Sequence, residues 1–201
     1  MSENSESTEK EKELRRNNML YIMRHGKTEW NALNKLQGRT DIPLNEEGRQ
    51  MARAAGEEYR KVPFDVCYCS PLLRARETAE ILLKGRDVPI LFDDRLREMS
   101  FGVCEGMTNY FQDKDSPISA LFQDPVNYHT PVEQGESFEE LFTRTGAFLK
   151  EVVEPDLREG KDVLIVGHGA MNCSIICQVK GIPLEQFWEA GIENCKLKKL
   201  L

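Results

Sequence analysis

The sequence is short of positive charge. Its 201 residues carry 27 lysines and arginines against 34 aspartates and glutamates, a formal net charge of −7. Broad nucleic-acid or anionic-membrane binding needs a basic face, so neither kind of partner is expected. Any anionic ligand must be held by local cations against an unhelpful overall field. No apolar run is long enough to span a bilayer, and the N-terminus carries no hydrophobic signal core. Six cysteines are present, but no CxxC pair of the kind that holds zinc. Cys67 and Cys69 flank a single tyrosine, too close in sequence to bridge, and Cys173 and Cys177 lie four apart in a helix-like stretch. Buried free thiols in a reducing cytoplasm are the expectation. Histidine is scarce as well, with three copies. Their placement is therefore informative.

Two of the three sit in matching contexts. Residues 20–31 read LYIMRHGKTEWN and residues 163–169 read VLIVGHG. Each is a short apolar run that ends in His-Gly, the pattern of a strand buried on both faces of a parallel sheet. In open sheets of this kind ligands bind beyond the carboxyl ends of the strands. An enzyme is expected.

Further strands are expected over 64–69 and 89–92, with the two histidine strands at 19–23 and 162–166 and an edge strand within 195–201. Between them Asn45 caps a helix with acids in its first turn, whose buried stripe is predicted as Met51, Ala54, Ala55 and Tyr59. Pro71 is placed at the first position of a second helix that stops at Gly85. Ser137 caps a long helix to about Val153, and 170–179 form the last. Strands alternating with helices predict a three-layer α/β/α sandwich with a mostly parallel central sheet. Residues 1–18 read as a polar, solvated tail. Residues 19–201 read as one domain with an irregular insert at about 102–135, which holds one short helix near 118–123.

Four strand ends carry residues suited to phosphate chemistry. Arg24 offers a planar fork for phosphate oxygens, and His25 beside it a ring nitrogen that can act as nucleophile. Arg74 falls in the first turn of a helix, where anions are favoured. Glu98 follows the third strand and would give or take a proton if partly desolvated beside a phosphate; Glu105 is the rival acid. His168 ends the last buried strand. Gly167-x-Gly169 begins a dinucleotide fingerprint, but Asn172 stands where the third glycine belongs, so no nucleotide cofactor is expected. Arg76 reads as a surface residue and His129 as an ordinary loop histidine.

Taken together these stretches resemble the histidine phosphatase superfamily, the phosphoglycerate-mutase-like clan. The likeness is carried by RHGKTEWN at 24–31, LQGRTDIPLNEEG at 36–48, CSPLLRARETA at 69–79, LREMSFGVCEG at 96–106, GESFEEL at 135–141 and VGHGA at 166–170. The resemblance implies that His25 is phosphorylated and that Arg24, Arg74 and His168 surround the phosphoryl group. Glu98 matches the proton donor to the leaving oxygen. Asn31, Gln37, Gly38 and Gly169 match positions at the pocket. It implies no metal and no cofactor, the charge being supplied by two arginines and a cationic histidine. The nearby guanidinium groups should depress the pKa of His25 and keep its nucleophilic nitrogen free.

The resemblance leaves phosphatase and mutase to be separated. A mutase must also hold a carboxylate and a second phosphate. Residues 106–135 contain one basic residue other than histidine, Lys114, and four acidic ones. Gln37 stands where mutases tend to have serine. A phosphomonoesterase acting on a small phosphorylated metabolite is the expectation, with a phosphoglycerate mutase and a non-catalytic phosphate-binding module as alternatives. Phe101, Tyr110, Phe111, Phe122 and Tyr128 could form an aromatic lid favouring a substrate with an apolar part. Oligomeric state is not legible, and a homodimer stays open.

Overall fold

The computed structural model describes residues 18–108, 110, 116–129 and 131–201. The tail expected at 1–18 therefore lies outside the described residues except for Asn18, as does part of the insert, Phe111 and Lys114 included.

A five-stranded sheet runs in the order β3-β2-β4-β1-β5. β1 is Leu20–Arg24, β2 Val66–Cys69, β3 Ile90–Phe92, β4 Val163–Gly167 and β5 Leu197–Lys199. β1, β2, β3 and β4 pair in parallel, and β5 closes one edge antiparallel to β1. The α/β sandwich expected from the alternation is what forms. Its cause is visible in the strands. Leu20 and Ile22 of β1, with Val163 and Ile165 of β4, enter one apolar core beside Phe148 and Ile176. Met23, Leu164 and Val166 point the other way, into a second core with Ala52, Ala55, Ala75 and Ala79. Continuous apolar runs are what a sheet covered on both faces requires.

The helices that supply those two layers are α2 (Glu46–Glu58) and α3 (Leu73–Leu82) on one side, and α5 (Phe138–Phe148) and α7 (Gly169–Lys180) on the other. A short α1 (Glu29–Ala32) follows β1, α4 (Ser119–Gln123) lies in the insert, and α6 (Glu154–Arg158) precedes β4. Asn45 caps α2 by accepting from Gly48 N, and Ser137 forms a capping box with Glu140 at α5.

Three details depart from the sequence reading. The buried stripe of α2 is Gly48, Ala52 and Ala55, with Ala54 exposed and Met51 and Tyr59 at the margin. Pro71 lies in the turn before α3, whose first helical residue is Leu73; the N–H of Leu73 is capped from a distance by Asp41 Oδ1 at 2.8 Å. The long helix beyond Ser137 continues past Phe148 as one wide turn, Leu149–Val153, before α6. All six cysteines are buried with free thiols. Among the described residues no helix is long and apolar enough to cross a membrane.

Candidate active site

β1 and β4 lie side by side and release His25 and His168 at the same edge. Their rings stand 5.1 Å apart between centroids. The backbone around His25 is pinned from both sides: its N–H bonds to Gly167 O at 2.9 Å, and its carbonyl accepts from Asn194 Nδ2 at 2.6 Å. Gly26 then packs on the N-terminus of α2, where a Cβ would come within 2.6 Å of Gly48 O. Only glycine allows that approach.

Both histidines are neutral, and their hydrogen bonds set the tautomers. His25 Nδ1 lies 2.7 Å from Gly26 O. A carbonyl only accepts, so Nδ1 carries the proton and Nε2 is left with a free lone pair. Burial, and then the charges of Arg74 and Arg24, push its pKa well below 6.5. At His168, Arg74 Nε donates to Nδ1 at 3.2 Å, so the proton sits on Nε2 and faces Ser70 Oγ at 2.7 Å. Burial and Arg74 hold this ring well below 6.5 too. The cationic histidine expected at this position is thus replaced by a neutral one, because a ring that accepts from a guanidinium cannot also carry a second proton.

Arg74 is fully buried. Besides His168, it donates through Nη1 to Thr40 O at 3.0 Å and through Nη2 to Gly38 O at 2.6 Å. Burial lowers its pKa to about 10, which leaves it cationic at neutral pH. Arg24 Nε and Gln37 Nε2 are buried donors with no partner among the described residues. Unmatched buried N–H groups are unfavourable, and both residues line the same cavity.

Glu98 reaches across to the start of α7. Its Oε2 accepts from Gly169 N (2.8 Å) and Ala170 N (3.2 Å), and its Oε1 from Met171 N and Met99 N, both 2.9 Å. His168, the N-cap of α7, makes no side-chain cap, so Glu98 supplies one from another segment. The amides that would otherwise attract an anion are already engaged.

A cavity of about 240 Å³ opens beside these groups; Arg74 and His168, both fully buried, do not line it. One half is polar, formed by Arg24, His25, Asn31, Gln37, Glu98 and Gly169. The other is formed by Leu36, Phe101, Tyr110, Phe122, Trp188 and Ile192. Phe122 sits 4.9 Å from Trp188 and 5.1 Å from Tyr110 between ring centroids, and Trp188 Nε1 is anchored on Leu121 O at 2.8 Å. Lys35 also lines the cavity.

Several sequence expectations are redistributed. Gly38 does not line the cavity; its carbonyl holds Arg74 instead. Glu105 lies off the cavity and binds the backbone of Arg39 and Thr40. Arg76 is exposed and paired with Glu80, and exposed His129 belongs to a separate apolar hollow with Tyr128 and Phe142. Ser70, Asn194 and Trp188 were given no role from sequence. Ser70 could have been noticed beside the strand end in CSPLLRA; nothing marks the other two.

A family model described as the histidine phosphatase superfamily, branch 1, matches residues 20–201. The 2,3-bisphosphoglycerate-dependent phosphoglycerate mutase 2 of Gloeobacter violaceus is 32% identical over 180 residues, 88% of this chain and 82% of that protein. The solved structure of YhfR from Bacillus stearothermophilus superposes with a TM-score of 0.81 at 34% identity, covering 90% of both chains. A mycobacterial glucosyl-3-phosphoglycerate phosphatase, solved with VO3, gives a TM-score of 0.78 at 28% identity, again covering 90% of each. With two neutral histidines, two arginines and a glutamate gathered at the strand ends, and a match spanning all of the sheet, the chain belongs to the histidine phosphatase superfamily, branch 1.

Proposed function

We propose that the protein is a metal-independent phosphomonoesterase that works through a phosphohistidine on His25. The reading is carried by one observation: His25, with its Nε2 unprotonated, lines one cavity together with Arg24 and Gln37. A phosphoryl group in transfer spreads negative charge over three equatorial oxygens, and positioned donors stabilise it. Arg24 and Gln37 serve that charge from the cavity lining, and the buried Arg74 cation adds its field beside His25. His168 contributes by holding Arg74 rather than by its own charge.

His25 Nε2 forms the N–P bond as the P–O bond to the leaving group breaks, and the leaving oxygen takes a proton from Glu98. Water then attacks phosphorus, the N–P bond breaks, and Glu98 recovers the proton. The sum is ester plus water to alcohol plus phosphate. In the resting site each Glu98 oxygen accepts two backbone N–H bonds. Holding a proton means giving up one of them, and the 3.2 Å bond from Ala170 is the longest.

The aromatic half of the cavity supports a leaving group with an apolar or aromatic body. Phe101, Tyr110 and Phe122 line it as expected from sequence, joined by Trp188, while Tyr128 faces the separate hollow and Phe111 lies outside the described residues. The mutase reading draws on the Gloeobacter relative. It needs cations for a second phosphate and a carboxylate, and beyond Arg24 the described lining supplies only Lys35. Phosphate release from alkyl, aryl and sugar monophosphates, assayed with chelator present, tests the proposal. Turnover lost in His25→Ala and greatest on aryl or branched esters is expected. Isomerisation of monophosphoglycerate after bisphosphate priming, without net hydrolysis, would establish the mutase. Phosphate binding without either reaction would establish a binding module.

A further inference from the structure

Glu105 occupies an unusual position for a carboxylate outside the cavity. It does not contact the cavity, yet it organises the loop that holds a buried arginine. Its Oε1 accepts from Arg39 N at 2.8 Å and from Phe101 N at 3.3 Å. Its Oε2 accepts from Thr40 N at 2.7 Å and from the Thr40 hydroxyl. Gly38 lies so close that a Cβ there would stand 2.2 Å from Oε1. The carboxylate therefore fills the concave side of residues 38–40, as an anion fills a nest of backbone N–H groups.

The convex side of the same loop faces inward. There the carbonyls of Gly38 and Thr40 receive the two Nη atoms of Arg74. One carboxylate thus draws the loop's N–H groups outward, which turns its carbonyls toward the guanidinium. Arg74 Nε in turn holds His168. Arg39 ties the loop to two further segments, through an ion pair with Glu136 at 3.2 Å and a bond to Glu98 O at 3.4 Å.

We propose that Glu105 is a positioning residue that acts through Arg74: it sets the 38–40 loop so that the guanidinium is held against His168 and its charge stays beside His25 and the phosphoryl group it would carry. The proposal rests on the phosphatase reading of the site. Its chemistry is specific to a carboxylate. Glutamine has the same shape but presents an NH2 to backbone N–H groups, so one side of the nest loses its acceptor.

The experiment compares wild type with Glu105→Gln and Glu105→Asp. It measures steady-state kinetics on an aryl phosphate, binding of inorganic phosphate by calorimetry, and circular dichroism as a check of folding. Misplacing a catalytic group by about 1 Å reduces rates on the order of 100-fold. Glu105→Gln is expected to keep its fold, to lower kcat/KM roughly 10- to 100-fold and to weaken phosphate binding, with Glu105→Asp recovering part of both. A folded Glu105→Gln with kcat/KM and phosphate affinity unchanged would overturn the positioning role while leaving the phosphatase reading intact. Wild type that neither binds phosphate nor hydrolyses an ester would overturn both. If Glu105→Gln does not fold, exposed Thr40→Ala, which deletes only the hydroxyl bond to Glu105, decides: a measurable fall in phosphate affinity supports the role, and none overturns it.

Discussion

Arg74 commits three of its N–H donors inside the protein, to His168, Gly38 and Thr40. The residue is fully buried, so it is a structural hub that also keeps a cation beside His25. Lysine keeps the charge but not the fork. Arg74→Lys is expected to lower kcat for phosphate release by about 10²- to 10³-fold, read from steady-state kinetics on a good aryl ester. The state of His25 gives a second expectation at this scale. Its pKa is pushed well below 6.5 by burial and then by the two arginines, so the nucleophilic neutral form persists into acid. The acid limb of kcat/KM should therefore fall below pH 6.5; a limb at or above it would contradict the assignment. Which residues meet at the site was legible, because His25, Arg74 and His168 each close a recognisable strand or open a helix and Glu98 sits in a motif-bearing segment after the third strand. Their protonation was not. The neutral state of His168 follows from Arg74 Nε approaching Nδ1, a contact between residues 94 positions apart that no local pattern encodes.

At the scale of elements, the start of α7 is held by a residue from elsewhere in the chain. Glu98 accepts all the N–H bonds that His168 leaves uncapped there, from Gly169, Ala170 and Met171. Glu98→Ala should therefore do two things at once. It should lower phosphate release, and it should destabilise the fold by about 1–2 kcal/mol as a lost cap does, measured by urea unfolding. Lost activity with unchanged stability would place Glu98 elsewhere. Element boundaries were legible where side chains announce them, as at Asn45 and Ser137. They were not legible where the cap comes from afar, as with Asp41 at Leu73. On α2, Ala55 is buried as expected and Met51 and Tyr59 pack at its margin, but Ala54 was taken for Ala52 because alanines at 52, 54 and 55 suit core and surface equally. Only the packing of Ala52 and Ala55 against β1 and α3 decides.

For the whole molecule, two neutral histidines buried at one sheet edge couple stability to pH. Their ordinary value is 6.5 and both are lowered well beneath it in the folded protein. As pH falls through 6.5 the unfolded chain takes up protons before the folded one. Stability is thus fully present above about pH 6.5 and is lost as pH drops toward the folded values, by up to about 1.4 kcal/mol per pH unit for each histidine. Urea unfolding at pH 7.5, 6.0 and 5.0 should show this decline, and His25→Gln should lessen it. The sheet and its two covering layers were legible because both faces of β1 and β4 are apolar. The aromatic half of the cavity was legible only in part, since Trp188 arrives from a segment with no motif and is set by its bond to Leu121. Hydrolysis by the proposed route passes through a covalent intermediate at one atom, His25 Nε2. Mixing enzyme with an aryl phosphate, quenching in alkali within milliseconds and sequencing peptides by mass spectrometry tests it directly. A phosphoryl group on His25, formed and lost at rates that account for turnover, is predicted; turnover with no phosphoryl group on His25, or with one elsewhere, would contradict it.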